Sequence, residues 1–208
     1  MNYFLLVACL VIIVVGCKQD DVKPIATSPV ITISGSGVTT TFTASEWYFY
    51  LSGGTVGNPN QYESTLITDG LISTAPSNTT LTNVYSYSLG ISTETAKTAE
   101  IFSYWSAALT PPKGIQVGKS LTLKAKVQLQ NIQGKGVSLA LRGDRTNQMG
   151  VLFATTQGKI SLIGTNDFTE YSVTLPYTAS VDRILVFLVF SDQTTGKALF
   201  KDVSVQVN

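Results

Sequence analysis

The chain has no histidine, and only 13% of its 208 residues are charged. Without an imidazole, Ser-His-Asp and Cys-His relays, H-E-x-x-H zinc sites and histidine haem ligation are all excluded. Fourteen Lys and Arg against 13 Asp and Glu leave a formal net charge of +1. That is far from the concentrated positive field that displaces counterions from phosphate, so nucleic acid is not an expected partner. Cysteine is scarce, with Cys9 and Cys17 the two in the sequence. The apolar run at residues 4–15 (FLLVACLVIIVV) stops at twelve residues, short of the roughly 20 that cross a bilayer as a helix. No segment carries a helical stripe of useful length, and residues 91–99 predict at most one short turn. The sequence has no internal repeat, Gly-rich phosphate loop, nucleophile elbow or metal-ligand spacing.

What is present begins with that apolar run, which has the length of the h-region of a secretory signal. It ends in Val14-Val15-Gly16-Cys17, and polarity switches at once to Lys18-Gln19-Asp20-Asp21. This stretch resembles the bacterial lipoprotein lipobox. The resemblance implies cleavage before Cys17 and lipidation of its sulfur and amine, which leaves a mature chain with no free thiol or disulfide. Met1-Asn2-Tyr3 departs from the pattern in carrying no Lys or Arg. Two or three acyl chains, at about 0.8 kcal/mol per buried CH2, hold a protein firmly on a membrane. Lys18 to Asp21 also resembles the Lys-plus-acidic export signal of Bacteroidetes lipoproteins. It implies the outer face of the outer membrane, with the lipid anchor as the single membrane attachment.

The expected organisation is therefore a signal peptide over residues 1–16, a lipidated N-terminus and tether over 17–37, and one domain over 38–208. The tether reading rests on two prolines, small hydroxyl residues and a Gly-Ser-Gly end, within which Val30 to Ile33 can add a short strand. Beyond it the pattern is strands. Leu121, Leu123, Ala125, Val127 and Leu129 alternate with Thr122, Lys124, Lys126, Gln128 and Gln130, a period of two that puts one face in a core. Val137, Leu139 and Leu141 repeat the alternation, and Gln133-Gly134-Lys135-Gly136 between them predicts a turn. Further strands are predicted over residues 150–155, 159–163, 171–175 and 198–207. Residues 183–190 (RILVFLVF) are apolar on both faces, as in a central strand. In the first half, strands are predicted over residues 39–43, 46–51, 84–89 and 98–105. Ten to twelve short strands with Gly-, Asn- and Ser-rich joints predict an all-β fold, a two-sheet β-sandwich. Residues 74–83 form a long loop.

The C-terminal half carries an order of pieces with a known parallel. Gly164-Thr165-Asn166-Asp167-Phe168-Thr169-Glu170-Tyr171 precedes Ser172-Val173-Thr174-Leu175, and Phe200-Lys201-Asp202-Val203 opens the last strand. This resembles the jelly roll of galactose-binding-like, carbohydrate-binding-module-type domains, with Phe168 in place of the more usual Trp. The resemblance implies a jelly roll and a glycan ligand. It also implies that Asp202 helps hold a structural calcium ion, with Glu46 a contributor; calcium needs six to eight oxygens.

Aromatic residues concentrate early: both Trp and six of nine Tyr lie between positions 47 and 105. Sugars present apolar C–H faces that stack on rings and hydroxyls that need fixed polar partners. Tyr48, Tyr50, Tyr85, Tyr87, Tyr104, Trp105 and Arg142 are accordingly the candidate ligand-binding residues. Against that, aromatics also fill sandwich cores. Parity puts Trp105 with Ala99 and Ile101 on one face, which turns it toward the core, and Phe102 with Tyr104 on the other. It turns Trp47, Phe49 and Leu51 inward and Tyr48 and Tyr50 outward. Tyr85 and Tyr87 alternate with Ser86 and Ser88, which leaves their face open. Arg142-Gly143-Asp144-Arg145 is the densest charged cluster after the tether, and a guanidinium there suits sugar hydroxyls or a carboxylate, or simply a solvated strand end.

Glycoside hydrolysis needs two carboxyls across a cleft. Glu63, Asp69, Glu94, Glu100, Asp167 and Glu170 sit at predicted loops or strand ends with no motif around them. The expected function is a lipid-anchored, non-catalytic envelope protein that binds extracellular carbohydrate. The alternative is an assembly module docking on another envelope protein, and a glycoside hydrolase stands third.

Overall fold

The computed structural model describes residues 30–34, 37–51, 62–68, 71–74, 87–96, 101–109 and 115–208. The expected signal peptide, Cys17, most of the tether, Tyr85 and residues 75–83 of the predicted loop lie outside them. Twelve strands form among the described residues: β1 (Val30–Ser34), β2 (Gly37–Thr41), β3 (Tyr48–Leu51), β4 (Glu63–Thr68), β5 (Leu71–Thr74), β6 (Tyr87–Thr93), β7 (Ser103–Leu109), β8 (Ser120–Arg145), β9 (Gln148–Thr155), β10 (Leu162–Pro176), β11 (Arg183–Phe190) and β12 (Thr195–Val207). Among the described residues the helical content is one 3-10 turn, Ala44–Glu46. The fold is the all-β sandwich that the alternation predicts.

The two layers share one strand. The first half of β8 pairs with β10 on one side and β12 on the other. Its second half pairs with β9 and β11. The first layer extends from β12 through β6 and β4 to β5, with β2 also on β12 and β1 on β2. The second extends from β11 through β7 to β3. Leu121, Leu123, Ala125, Val127 and Leu129 from the first half and Leu139 and Leu141 from the second lie in one buried cluster with Ile184, Val186, Leu188, Phe190 and Phe200. Each Leu, Ile, Val or Phe side chain among them contributes about 1.5–3 kcal/mol of burial.

The turn predicted at residues 133–136 is instead a bend inside a continuous β8. Asn131, Gly134 and Gly136 adopt positive φ of 53°, 85° and 81°, and this left-handed backbone redirects the strand without ending it. A Cβ on Gly136 would stand 2.6 Å from the Leu162 carbonyl oxygen, so only glycine fits. The strands predicted over residues 159–163 and 171–175 belong to a single β10, which begins at Leu162 and absorbs three register shifts before Thr169.

Other boundaries move for local reasons. Thr43 donates to the Glu46 carboxylate from its amide at 2.6 Å and its hydroxyl at 2.9 Å, which closes the 3-10 turn and delays β3 to Tyr48. The strand expected over residues 98–105 starts at Ser103. Ile91 to Thr93 continue β6, and the chain then bends at Glu94 and Thr95 rather than forming a helical turn. The sheet also reaches back to Val30, inside the segment expected to be tether.

Candidate functional site

The outward face of the second layer follows from its register. Tyr50 opposes Tyr104, which opposes Val189, which opposes Ser138. The next outward row runs Tyr48, Ser106, Phe187, Ala140 and Thr155, and the one after it Ala108, Leu185, Arg142 and Phe153. Bulky rings therefore occupy the outer strands β3 and β9, while serines and alanines occupy much of the middle. Ser106, Ser138 and Ala140 are buried although they point away from the core, because the surrounding side chains rise above them. The result is a groove of about 450 Å³ lined by Phe102, Tyr104, Arg142, Phe153, Phe187 and Asp192 around a floor of Ser138 and Ala140.

The rings differ in what they offer. Tyr50 and Tyr104 are stacked at 5.3 Å between centroids with planes 22° apart, and Phe102 stacks on Tyr104 at 5.9 Å and 29°. A sugar ring inserted between two rings needs about 7–8 Å, so this row presents edges, hydroxyls and end faces. Tyr104 meets Phe187 edge-on at 5.3 Å, and the Arg142 guanidinium lies over Phe187 at 5.2 Å. Phe153 is 60% exposed, and it stacks on no other ring among the described residues. Burial, then the neighbouring Tyr50, pushes the Tyr104 phenol above its ordinary pKa against the pull of Arg142. Tyr48 is raised by burial, Tyr50 and Glu46. Both phenols are thus protonated donors at neutral pH.

Arg142 is fixed from below. Its Nη2 donates to Asp144 Oδ2 at 3.0 Å, and its Nε lies 3.0 Å from Oδ1 but out of line for a hydrogen bond. Asp144 has a side chain 1% exposed and also accepts the Gly150 amide at 2.7 Å. Burial opposes ionisation of this carboxyl, but the Gly150 amide and the guanidinium groups of Arg142 and Arg183 outweigh it and hold the pKa below the usual range. At the opposite end, Asp192 Oδ2 accepts Lys135 Nζ at 2.8 Å.

Four of the sequence candidates, Tyr48, Tyr50, Tyr104 and Arg142, share this face. Tyr48 and Tyr50 are 40% and 42% exposed, as parity predicts. Two candidates are corrected. Trp105 is 1% exposed, with Nε1 donating to the Gly90 carbonyl at 3.0 Å. Tyr87 is 8% exposed, its hydroxyl accepting Trp47 Nε1 at 2.6 Å and donating to the Phe42 carbonyl at 3.0 Å. Their polar groups are satisfied by core partners, and neither lies on the groove face. Tyr85 and Cys17 lie outside the described residues. Sequence reasoning missed Phe153 and Phe187 as groove residues. The available signal was parity in residues 150–155, where Leu152 and Ala154 turn inward and Phe153 outward, together with small residues at alternate positions 138 and 140.

Asp202 lies on the first layer, at positive φ within a break of register. Its carboxylate pairs with Lys126 Nζ at 2.9 Å, and that bond and charge raise the Lys126 pKa. Asp202 is the one carboxylate lining an adjacent cavity of about 490 Å³, while the Glu46 carboxylate is bonded within its own turn. Among the described residues no group of three or more His, Cys, Asp or Glu gathers as a metal site.

No protein-family model matches the chain, and none of the curated proteins does. Several solved structures share its outline. The enzymatically active domain of a tailspike protein from bacteriophage CBA120 aligns over 79% of this chain at 14% identity and TM-score 0.49, and the chain spans a fifth (20%) of that protein. A CBM4 carbohydrate-binding module aligns over 78% of this chain and 86% of its own at 13% identity and TM-score 0.47. A family 11 carbohydrate-binding module of Clostridium thermocellum, in complex with a β-1,3-1,4-mixed-linked tetrasaccharide, aligns over 86% and 96% at 12% identity and TM-score 0.41. Likenesses this distant assign no ligand, and the groove is read from its own residues.

Proposed function

We propose that this chain is a lipid-anchored, non-catalytic protein of the outer cell envelope that binds extracellular carbohydrate in the groove of its second layer. The observation that carries the reading is the arrangement of outward residues. Phe102, Tyr104, Phe187 and Phe153 surround a floor of Ser138 and Ala140, with Thr155 and Ser191 beside it, so a ligand meets ring carbons at its sides and hydroxyls around it. Ring faces match sugar C–H surfaces, and phenol, serine and threonine hydroxyls match sugar hydroxyls. The carboxylate lining this groove is Asp192, tied to Lys135, and Asp144 is locked as an anion beneath Arg142. Neither is poised as the proton donor that glycoside hydrolysis requires.

Affinity electrophoresis against a panel of polysaccharides tests the binding. Retardation by at least one glycan, reduced in Tyr50→Ala and Phe153→Ala proteins that melt like wild type, supports it. A wild-type protein retarded by none overturns it. Labelling of the native protein, but not of Cys17→Ser, with a radioactive fatty acid tests the anchor.

A second reading, docking on another envelope protein, is favoured by the exposed apolar side chains Met149, Phe153 and Ile160. It expects one fixed protein to co-purify with the membrane-bound chain, and that association to be lost in Met149→Lys.

A further inference from the structure

We infer that the glycan held by this groove is anionic and sets a carboxylate or sulfate ester against the Arg142 end. The inference rests on the carbohydrate reading above and adds the ligand's charge. Arg142 and Asp144 are two residues apart on β8, and so share the groove face, and Arg183 is the cross-strand partner of Asp144. Both guanidinium groups converge on one carboxylate, Arg142 Nη2 at 3.0 Å and Arg183 Nη2 at 3.4 Å. Two cations on one anion leave this end of the groove with a net positive charge. The other end is balanced, with Lys135 answering Asp192. The groove is therefore charged at one end only.

The guanidinium groups are presented rather than consumed. The Asp144 side chain lies 1% exposed beneath them, while those of Arg142 and Arg183 remain 28% and 55% exposed. The Gly150 amide pins the carboxylate, and the ring of Phe187 supports the Arg142 plane. A planar guanidinium held at fixed orientation is suited to forked recognition of carboxylate or sulfate oxygens. Phe153 is the cross-strand neighbour of Arg142. One sugar residue thus meets a ring for its C–H face and a cation for its acidic substituent side by side.

The test is affinity electrophoresis of the full chain in gels containing polygalacturonate, dextran sulfate or a neutral mixed-linked β-glucan, each at low and at high salt. The expected result is at least tenfold tighter retardation by a carboxylated or sulfated polymer than by the neutral one, weakened by salt. Whichever acidic gel retards the chain identifies the substituent. Arg183→Gln, whose side chain is exposed and leaves Arg142 on Asp144, should lose about tenfold on the anionic gel and nothing on the neutral one. Phe153→Ala should also weaken anionic retardation, which separates the groove from diffuse charge attraction. Equal retardation by neutral and anionic gels, or a folded Arg183→Gln that behaves as wild type on the anionic gel, overturns this inference and leaves the groove reading standing. Retardation by no polymer overturns both.

Discussion

The two halves of β8 have the same inward chemistry and opposite outward chemistry. Leucines at 121, 123 and 129 and at 139 and 141 enter one core. Outward, the first half carries Thr122, Lys124, Lys126, Gln128 and Gln130, and the second carries Ser138, Ala140, Arg142 and Asp144. On the first half the outward groups answer each other across the sheet. Lys124 lies 3.7 Å from Glu170, Lys126 2.9 Å from Asp202, and the Thr122 and Thr174 hydroxyls are 3.0 Å apart. Long, hydrated side chains cover that part of the layer and bury its apolar stems. On the second half, small side chains open a hollow that neighbouring strands wall with rings. Location of the site is thus decided by outward residues that contribute little to the core, which is why hydrophobic patterning alone cannot find it.

The sharpest way to break the comparison lies beneath the groove. Tyr104 and Trp105 are adjacent in β7 and face opposite ways. Trp105→Ala should cost about 3–5 kcal/mol, a large share of the roughly 5–15 kcal/mol that holds a domain folded. The replacement leaves a cavity and removes the Nε1 bond to the Gly90 carbonyl. A urea midpoint close to wild type would show that the two faces of β7 have been assigned the wrong way round.

Asp144 should matter less, through charge. Its folded pKa is depressed below the ordinary value near 4 of an unfolded aspartate. Above about pH 5 both states are ionised, and the bonds to Gly150 and Arg142 contribute in full. As pH falls, the unfolded chain takes up the proton first, so stability drops from about pH 5 down through the folded pKa. Asp144→Asn should lose about 1–3 kcal/mol at neutral pH and lack this acid-driven decline. Parallel urea midpoints for the two proteins between pH 6 and pH 3 would rule the assignment out.

The legibility of the sequence divides along the same line. Strand periodicity revealed the sandwich because core and solvent impose opposite chemistry at alternate positions. It also turned Tyr48 and Tyr50 outward correctly. Continuity of β8 was hidden because Gln133-Gly134-Lys135-Gly136 has the composition of a turn, and only the pairing of Thr195 with Gln133 and of Leu162 with Val137 shows that the backbone bends there without stopping. Tyr87 and Trp105 were nominated because a ring's chemistry is the same in a core and in a groove. Parity turns Trp105 toward the core but leaves Tyr87 open, and only the buried bonds of Tyr87 to Trp47 and Phe42 settle its side. In β11 both faces are apolar for different reasons: Ile184, Val186, Leu188 and Phe190 fill the core, while Leu185, Phe187 and Val189 belong to the groove face.

On the groove itself the expected effect is smaller and separable from stability. Phe153→Ala removes an exposed ring that packs in no core, so its melting temperature should match wild type while glycan affinity falls about tenfold, near 1.4 kcal/mol. Isothermal titration against whichever polysaccharide retards the wild type measures it. Unchanged affinity would move the stacking surface to the row of Tyr50, Tyr104 and Phe102.

The mildest substitution sharpens the contrast from the other side. Lys124 occupies on the first half of β8 an outward position like that of Arg142 on the second, and each has an acidic neighbour. The Lys124 and Glu170 side chains are 42% and 57% exposed at 3.7 Å, so water screens the pair and mobile side chains share it with solvent. Lys124→Ala should therefore change stability by no more than about 0.5 kcal/mol and leave glycan binding untouched. Arg142 sits on a carboxylate sealed from water, where the same truncation leaves a buried anion with only Arg183 and the Gly150 amide and should be felt in both measurements. Equal responses from Lys124→Ala and Arg142→Ala would mean that the two outward faces of this strand do not differ in the way their chemistry implies.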